Sequence, residues 1–217
     1  MEFHWLKHNG HERLVIFVLG WAADNNVVSH IDIPDADILT IYDYRDVPTL
    51  PENIRQIIDE YPEKYLFAWS FGVWAAEQLL SGINFDVAAA LNGTPFPVHE
   101  QYGIEPRRLD ITIRGLARGG MEQFERRAYG RWYDELTPGL SPRGIEANIA
   151  ELQNLRDLST SDYSPSINWS KAIVGSEDLI FTPHNMQNYW GNRAVLLPLP
   201  HYPFGDAGII TNEIGSR

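Results

Sequence analysis

A single serine separates a strand pattern from a helical pattern in the stretch Ala68-Trp69-Ser70-Phe71-Gly72. The apolar residues before it run without a break from Tyr65, whereas those after it recur at helical spacing. Small residues two positions before and after Ser70 let the strand and the helix pack closely while the hydroxyl projects from the turn. The pattern predicts a nucleophile elbow, with Ala68 at the position that glycine usually occupies. The alternative is a serine that only caps the helix.

An aspartate and a histidine each follow a later strand pattern. Asp178 lies three residues beyond Gly175, and His201 comes directly after the apolar run 193–200. The order serine, aspartate, histidine along the chain is that of an α/β-hydrolase triad and differs from the orders in the two main classes of serine protease. In such a triad the histidine takes the proton of the serine, and the aspartate holds the imidazole tautomer. We therefore predict Ser70 as nucleophile, His201 as base and Asp178 as its acidic partner.

Other acids and one other histidine could fill the two partner positions. Glu177 adjoins Asp178, but neighbouring side chains point apart, so only one of them could reach the histidine. Asp162 and Asp206 remain open as alternatives. His184 fits less well, because it lies on a helix that begins with proline and not at the end of a strand.

Backbone amides must stabilise the negative charge that develops on a substrate oxygen. The first strong strand pattern, at 14–19, ends at Gly20-Trp21. In hydrolases of this class one donor is the amide after this strand, and the other is the amide that follows the nucleophile. We predict the amides of Trp21 and Phe71 for these roles. The alternative for Gly20-Trp21 is an ordinary turn with an anchoring tryptophan.

The elements that must position these residues alternate between strand and helix. Continuous apolar runs are typical of strands buried on both faces of a parallel sheet. Such runs predict strands at 14–19, 37–44, 65–69, 85–91, within 167–178 and at 193–200. A helix is predicted over 51–61. The sequence therefore predicts an α/β protein with the α/β-hydrolase fold, whose sheet is mostly parallel and doubly wound.

The stretch from about residue 104 to 158 has a different character. It has no convincing strand pattern, and its helical patterns carry nine arginines, in a chain whose net charge is −12. We interpret 97–157 as a helical lid inserted after the strand that ends near Leu91, and 1–96 with 158–217 as the hydrolase core. The arginines are either solvated and paired with neighbouring acids, or they form a docking surface for an acidic partner.

Composition restricts the class of protein. The 217 residues include no cysteine, which excludes disulfides, thiolate catalysis and zinc–thiolate sites. No apolar run approaches the roughly 20 residues that span a bilayer, and no secretory signal is visible, so we expect a cytoplasmic protein without a membrane partner. The negative charge argues against nucleic acid. The spacing of histidines and acids offers no metal site, so neither metal nor cofactor is expected, and the oligomeric state stays open.

Six pieces of the sequence together resemble one known family. They are Gly20-Trp21, Tyr42-Asp43-Tyr44-Arg45-Asp46, Ala68-Trp69-Ser70-Phe71-Gly72-Val73, Asn92-Gly93-Thr94-Pro95, 124–130 and His201-Tyr202-Pro203-Phe204. The family is that of the BioG-type pimeloyl-[acyl-carrier protein] methyl ester esterases, and the resemblance extends over nearly the whole chain. It implies a small α/β-hydrolase that removes the methyl group from pimeloyl-carrier-protein methyl ester in biotin synthesis, with Ser70, Asp178 and His201 as its triad.

The resemblance also implies a partner and a binding channel. Acyl carrier protein is strongly acidic, and members of the family contact it through basic residues of the lid. The candidates in this sequence are Arg126, Arg127, Arg131, Arg143 and Arg156. An apolar channel for the acyl chain would be lined by Trp21, Trp69, Phe71 and Phe124, and each CH₂ group buried there contributes about 0.8 kcal/mol. Core packing is the alternative role for these aromatic residues.

Two other functions stay open at this point. One is a general carboxylesterase or thioesterase for small acyl esters, in which the lid arginines play no part. The other is a non-catalytic scaffold with the same fold, although an intact set of serine, aspartate and histidine argues against it.

Overall fold

A seven-stranded sheet organises the computed structural model, which describes residues 1–46, 49–136, 143–159 and 163–215. The strands are β1 (Glu2–Lys7), β2 (Arg13–Val18), β3 (Asp37–Tyr42), β4 (Glu63–Trp69), β5 (Val87–Leu91), β6 (Lys171–Gly175) and β7 (Ala194–Leu197). Their order across the sheet is β1-β3-β2-β4-β5-β6-β7. All neighbours pair in parallel except β1, which runs antiparallel to β3. The predicted α/β-hydrolase fold with a mostly parallel sheet is confirmed.

Helices cover both faces of this sheet. They are α1 (Glu52–Glu60), α2 (Gly72–Leu79), α3 (Pro106–Leu116), α4 (Met121–Tyr129), α5 (Tyr133–Leu136), α6 (Ile145–Leu158), α7 (Pro183–Trp190) and α8 (Gly208–Gly215). Alternate residues of β2 enter different cores: Ile16 packs with α1 and α2, whereas Phe17 packs with α8. Because both faces are buried, the strand needs apolar residues at every position. That requirement explains the unbroken apolar runs of the sequence.

Strand β1 is an element that the sequence analysis missed. From Glu2 to Trp5 its polar residues are exposed and its apolar residues, Phe3 and Trp5, are partly buried against the core, and the alternation ends at Leu6, which packs against the other face. This alternation is the mark of a half-exposed strand, which an analysis based on continuous apolar runs passes over.

Helices α3 to α6 lie between β5 and β6 in the chain, where the sequence predicts a lid. Apart from an isolated bridge between Val98 and Ile104, the described residues between β5 and β6 contain no strand pairing. Helix α3 packs against α6 and buries Leu109, Ile113 and Leu116. The division into a core and a lid at 97–157 stays a prediction. None of the helices in the described ranges has the length and apolar character that crossing a membrane requires.

A buried carboxylate ties α2 to the segment between α6 and β6. Glu77 accepts hydrogen bonds from the backbone N–H groups of Ser166 (2.7 Å) and Ile167 (3.1 Å) and from the indole N–H of Trp169 (2.7 Å). A buried carboxylate is tolerated only where such donors satisfy it. The contact therefore fixes the helix that begins at the elbow relative to the chain that leads into β6.

Candidate active site

Ser70 lies on a strained turn between β4 and α2. Its φ of +60° is in the left-handed region, which costs energy for any residue with a side chain. The helix begins at Gly72 with Phe71 as its N-cap residue, so Ser70 does not cap it. A Cβ atom at Gly72 would lie 2.1 Å from the carbonyl oxygen of Val18, which means that only glycine allows β2 and the start of α2 to approach so closely. The turn has the features of a nucleophile elbow.

The structure brings Ser70, His201 and Asp178 into one hydrogen-bonded line. Nε2 of His201 lies 2.9 Å from Oγ of Ser70, and Nδ1 lies 2.8 Å from Oδ2 of Asp178. Because an ionised carboxylate can only accept, Nδ1 carries the proton and Nε2 is free to accept from the serine hydroxyl. The other oxygen of Asp178 accepts from the backbone N–H groups of Ile180 (2.7 Å) and Phe181 (3.0 Å). All three members of the line are buried.

The competing residues lie elsewhere. Glu177 is exposed and faces Arg131, with 3.3 Å between Oε2 and a guanidinium nitrogen. Asp206 accepts from the backbone N–H of Gly208, and the ring of His184 contacts the side chain of Asn188. Asp162 lies outside the described residues. Among the acids that the structure describes, Asp178 is the one that contacts His201.

Asn92 holds the loops that carry His201 and Asp178. Its side-chain N–H₂ donates to the carbonyl oxygens of Pro200 and His201, both at 2.8 Å, and its Oδ1 accepts from the backbone N–H of Gly175 at 2.6 Å. The indole N–H of Trp69 donates to the same His201 carbonyl at 2.8 Å. Sequence reasoning noted the Asn92-Gly93-Thr94-Pro95 piece only as a resemblance and missed this role. An asparagine directly after a buried strand is a signal that could have indicated it.

We expect Asn92→Ala to lower kcat for a small ester about 100-fold, because a small displacement of a catalytic group away from the reacting atoms has an effect of that size. KM should change little, since Asn92 is not among the residues that line the cavity. Steady-state kinetics at saturating p-nitrophenyl butyrate measure the effect.

A matched control separates positioning from folding. Thr94 follows Asn92 by two residues, is buried, and makes two hydrogen bonds of its own, to Tyr102 and Phe96. Thr94→Val removes these bonds without touching the triad, so it should lower Tm and leave kcat near that of the wild type. A folded Asn92→Ala protein with unchanged kcat would show that Asn92 has only a structural role.

The segment after β2 lies against the elbow. A Cβ atom at Gly20 would be 2.9 Å from Cβ of Ser70 and 3.4 Å from its Oγ. Within the described part of the chain, the backbone N–H groups of Trp21 and Phe71 donate to no other protein group. Both amides are therefore free of protein acceptors, and their role as an oxyanion hole stays a prediction.

An ion pair between Glu151 of α6 and Arg143, which precedes the helix, fixes this segment. Glu151 accepts from the backbone N–H groups of Ala22 (3.2 Å) and Tyr44 (2.8 Å), and its Oε2 lies 2.9 Å from Nη2 of Arg143. Burial raises the pKa of Glu151, while Arg143 and the two backbone donors oppose that rise. In addition, the indole N–H of Trp21 donates to the carbonyl of Asn148 at 2.7 Å. Helix α6 and Arg143 just before it therefore set the position of the residues next to the elbow.

A cavity of about 200 Å³ opens over Ser70 and His201. All four aromatic residues that the sequence predicts as channel lining contribute to its wall, namely Trp21, Trp69, Phe71 and Phe124. Further apolar lining comes from Ile104, Leu109, Ile111, Leu116, Leu152, Leu179 and Ile180. Such a wall suits an aliphatic chain whose reacting end reaches the serine.

Arg143 requires a correction. The sequence analysis places it among the arginines that contact a carrier protein, but its side chain is only 15% exposed. It lies between Asp43 (3.0 Å) and Glu151 (2.9 Å), because two buried carboxylates at this place need a cation. Its guanidinium is therefore directed into the protein and not towards a partner.

Three of the other predicted arginines are paired with acids; Arg126 and Arg131 are exposed, whereas Arg156 is partly buried. Arg126 contacts Glu122 one helical turn away at 2.8 Å. The remaining pairs are Arg131 with Glu177 at 3.3 Å, and Arg156 with Asp110 at 3.2 Å and with Asp157 at 2.8 Å. Arg127 differs from them: it is exposed, lines the cavity, and has no acidic partner among the described residues.

Comparison with known proteins identifies the family. Residues 1–205 match the family described as "Pimeloyl-ACP methyl esterase BioG". The chain belongs to the BioG family. Its structure is similar to the crystal structure of BioG from Haemophilus influenzae, with a TM-score of 0.84 and 30% identity over 94% of this chain and 95% of that one. The family resemblance that the sequence indicates is thus confirmed, and the chain is a hydrolase.

Two other similarities are more limited. A malonyl-[acyl-carrier protein] O-methyltransferase of Bacteroides fragilis is 33% identical over 184 residues, which are 81% of this chain but 36% of that protein. The chain thus spans only about a third of that relative. An enol-lactonase of Burkholderia xenovorans has a TM-score of 0.65 at 14% identity, over 99% of this chain and 95% of that one. At that identity the similarity establishes the α/β-hydrolase fold alone.

Proposed function

We propose that this protein hydrolyses the methyl ester of pimeloyl-acyl-carrier protein in biotin synthesis, with Ser70 as the nucleophile of an acyl-enzyme mechanism. The observation that carries the proposal is the line from Asp178 through His201 to Ser70, at 2.8 and 2.9 Å, below an apolar cavity. Membership in the BioG family supports the choice of substrate.

In the first half of the reaction, Oγ of Ser70 attacks the carbonyl carbon of the ester as its proton passes to Nε2 of His201. The imidazolium that forms is stabilised by Asp178 through Nδ1–H. Negative charge on the former carbonyl oxygen is stabilised by the amides of Trp21 and Phe71, and loss of one such donor typically costs about 2.7–4 kcal/mol of transition-state stabilisation. The bond between the carbonyl carbon and the methoxy oxygen then breaks, and methanol leaves with the proton from Nε2.

In the second half, water attacks the acyl-serine. His201 takes a proton from this water and returns it to Oγ of Ser70 as the acyl bond breaks. The products are methanol and a pimeloyl-carrier protein with a free carboxyl group. The methylene chain would lie in the apolar cavity, where each buried CH₂ group contributes about 0.8 kcal/mol to binding.

The experiment that tests this proposal offers the protein two esters. Pimeloyl-acyl-carrier-protein methyl ester should lose its methyl group, which intact-protein mass spectrometry detects on the carrier. A fluorophosphonate probe should label the peptide that contains Ser70. If the carrier-bound ester stays intact while p-nitrophenyl butyrate is cleaved, the protein is a general carboxylesterase and the proposed substrate is wrong. If neither ester is cleaved and no probe is bound, the catalytic proposal fails as well.

A further inference from the structure

The inner face of helix α4 carries one carboxylate. The residues of this face are buried or partly buried and follow one another at spacings of three, one, three and one, which place them on one side of the helix. They are Met121, Phe124, Glu125, Ala128 and Tyr129, and all five line the cavity over Ser70. The other acid of the helix, Glu122, is exposed and pairs with Arg126. Glu125 is therefore the charged group of a helix face that is otherwise uncharged.

The carboxylate of Glu125 has no partner among the described residues. It accepts no hydrogen bond there, and no cation lies within ion-pair distance of it. Burial, and then the neighbouring Glu122, raise the pKa of its carboxyl above the ordinary value. The two fully buried glutamates differ, because Glu77 accepts from backbone and indole N–H groups, and Glu151 accepts from backbone N–H groups and Arg143. A partly buried carboxylate without such donors costs free energy of folding, which makes Glu125 a candidate for a function.

The face of α4 that carries Glu125 contacts two parts of the active site. The preceding residue, Phe124, packs edge-on against Trp21, with 4.7 Å between the ring centroids. One turn further along the helix, the carbonyl of Ala128 accepts from the backbone N–H of Tyr202, the residue after the triad histidine, at 2.8 Å. Along the helix, Glu125 thus lies between these two contacts, and it lines the same cavity as the triad serine.

The proposed reaction changes the charge of the acyl group in this cavity. The ester is neutral, whereas the acid that leaves the serine loses its proton at neutral pH and becomes a carboxylate. Like charges repel each other more strongly in a cavity with a low effective dielectric than in water. A carboxylate in the cavity wall therefore raises the free energy of the bound product and leaves that of the bound ester nearly unchanged.

The two arginines of the cavity wall do not cancel this charge. The guanidinium of Arg108 donates to the carbonyl of Leu179. Arg127 is exposed and lies two residues from Glu125 on the helix, where side chains point in different directions. Neither arginine is among the groups that shift the pKa of Glu125. At pH 8, well above the ordinary range of carboxyl pKa values, Glu125 is ionised without a nearby cation in the described part of the chain.

We propose that Glu125 is a specificity-determining residue, whose carboxylate makes the cavity favour uncharged acyl groups over acyl groups that end in a carboxylate. The repulsion promotes release of the acid formed at Ser70 and prevents it from occupying the cavity as an inhibitor. It also keeps chains that already end in a free carboxylate away from the serine. The proposal rests on the proposed function for the identity of the substrate, but the repulsion acts on the acid product of any ester that is cleaved in this cavity.

The first test compares two inhibitors of p-nitrophenyl butyrate hydrolysis at pH 8. Hexanoate and hexanamide have nearly the same shape, but only hexanoate is charged, so the ratio of their inhibition constants, Ki, measures the response of the cavity to charge. In Glu125→Gln the Ki of hexanoate should fall about 10-fold, because repulsion between two charges in a protein cavity is lost. The Ki of hexanamide should stay within about twofold.

Two variants of the same helix and a stability measurement supply the controls. Glu122→Gln removes an exposed carboxylate that is not among the residues lining the cavity, so it should leave the ratio within about twofold. Glu125→Asp keeps the charge and should retain most of the wild-type ratio. Glu125→Gln should retain or raise Tm, since the carboxylate has no partner to lose, whereas a structural role would lower Tm.

Binding measurements extend the test to the proposed substrate. Fluorescently labelled acyl carrier protein, bearing either pimeloyl methyl ester or the free pimeloyl group, is titrated into Ser70→Ala protein, and anisotropy gives Kd for each form. Adding Glu125→Gln should lower Kd for the free acid about 10-fold, because the repulsion is removed, and should leave Kd for the methyl ester within about twofold.

The outcomes separate this proposal from the proposed function. An unchanged ratio of Ki in a folded Glu125→Gln protein would overturn the role of Glu125. A rise in Kd for both carrier-bound forms would also overturn it, since Glu125 would then accept a hydrogen bond from a donor of the bound group. If the wild type leaves the carrier-bound ester intact while the ratio of Ki changes as expected, the proposed function fails and the role of Glu125 stands.

Discussion

Replacing Ser70 with alanine should lower kcat for the carrier-bound ester by about six orders of magnitude, the loss seen when the serine of such a triad is removed. The reason is that His201 Nε2, now without its 2.9 Å partner, has no hydroxyl to activate. The amides of Trp21 and Phe71 and the cavity are unaffected by the change, so a small residual rate and nearly unchanged substrate binding are expected. Single-turnover assays with excess enzyme measure the rate, and titration of the labelled substrate measures the binding.

A second serine supplies the control for this result. Ser29 is exposed, and its hydroxyl donates to the carbonyl of Asn26 at 3.0 Å. Ser29→Ala makes the same chemical change far along the chain from the elbow and should retain full activity. A Ser70→Ala protein that kept one hundredth of the wild-type kcat would show that another group is the nucleophile.

The hydrogen-bonded line from Asp178 through His201 to Ser70 was predictable because its three residues lie beyond the ends of parallel strands. A strand buried on both faces can be recognised in the sequence as an apolar run. In a parallel sheet the residues that follow neighbouring strands all lie at the same edge, where ligands bind. Ser70 and Asp178 follow buried strands, whereas His201 follows the apolar run of β7, in which Val195 and Leu196 are exposed. Local patterns were therefore sufficient to indicate them, although the choice of Asp178 over Glu177 and Asp206 needed the contact with His201 that the structure shows.

The residues that hold the triad in place could not be predicted in this way. Asn92 contacts His201 and Gly175, which are 109 and 83 residues away, and Glu151 contacts Ala22 across 129 residues. No periodicity records such pairs, since they arise only when segments far apart in the chain come together in the fold. An isolated buried asparagine or glutamate in a sequence is equally compatible with a cap, a turn or a surface position.

Ion pairs of the arginines are likewise contacts that the sequence does not predict. The sequence shows nine of them in the lid region, but it does not show which ones meet an acid after folding. Arg143 finds Asp43 and Glu151 in the interior, whereas Arg107, Arg114 and Arg118 find no acid among the described residues. Their spacing of seven and four residues is nevertheless visible in the sequence and places them on one side of a helix. With Leu109 and Ile113 buried on the other side, the helix is amphipathic and has a basic outer face. A count of charges was less informative than their arrangement on the helix.

Asp178→Asn should lower kcat by about four orders of magnitude, as is found when the acid of a serine–histidine triad becomes an amide. In this protein one carboxylate oxygen accepts from two backbone N–H groups, those of Ile180 and Phe181, and the other accepts from Nδ1–H of His201. An asparagine would keep its oxygen on the two backbone donors, because its N–H₂ group cannot accept from them. The N–H₂ group would then point at Nδ1 and favour the tautomer whose Nε2 carries the proton. That tautomer cannot take the proton of Ser70.

The measurement compares kcat and KM of Asp178→Asn with those of Asp206→Asn, whose carboxylate accepts from the backbone N–H of Gly208 and lies outside the triad. The first variant should lose kcat while KM stays within about threefold, since Asp178 is not among the residues that line the cavity, and loss confined to kcat is the sign of an interaction made in the transition state. The second should behave like the wild type. Fluorophosphonate labelling of Ser70 should slow in parallel with kcat, because both reactions need the same activated hydroxyl. If labelling stayed fast while ester hydrolysis collapsed, Asp178 would act on a later step than the activation of Ser70, and the tautomer argument would be wrong.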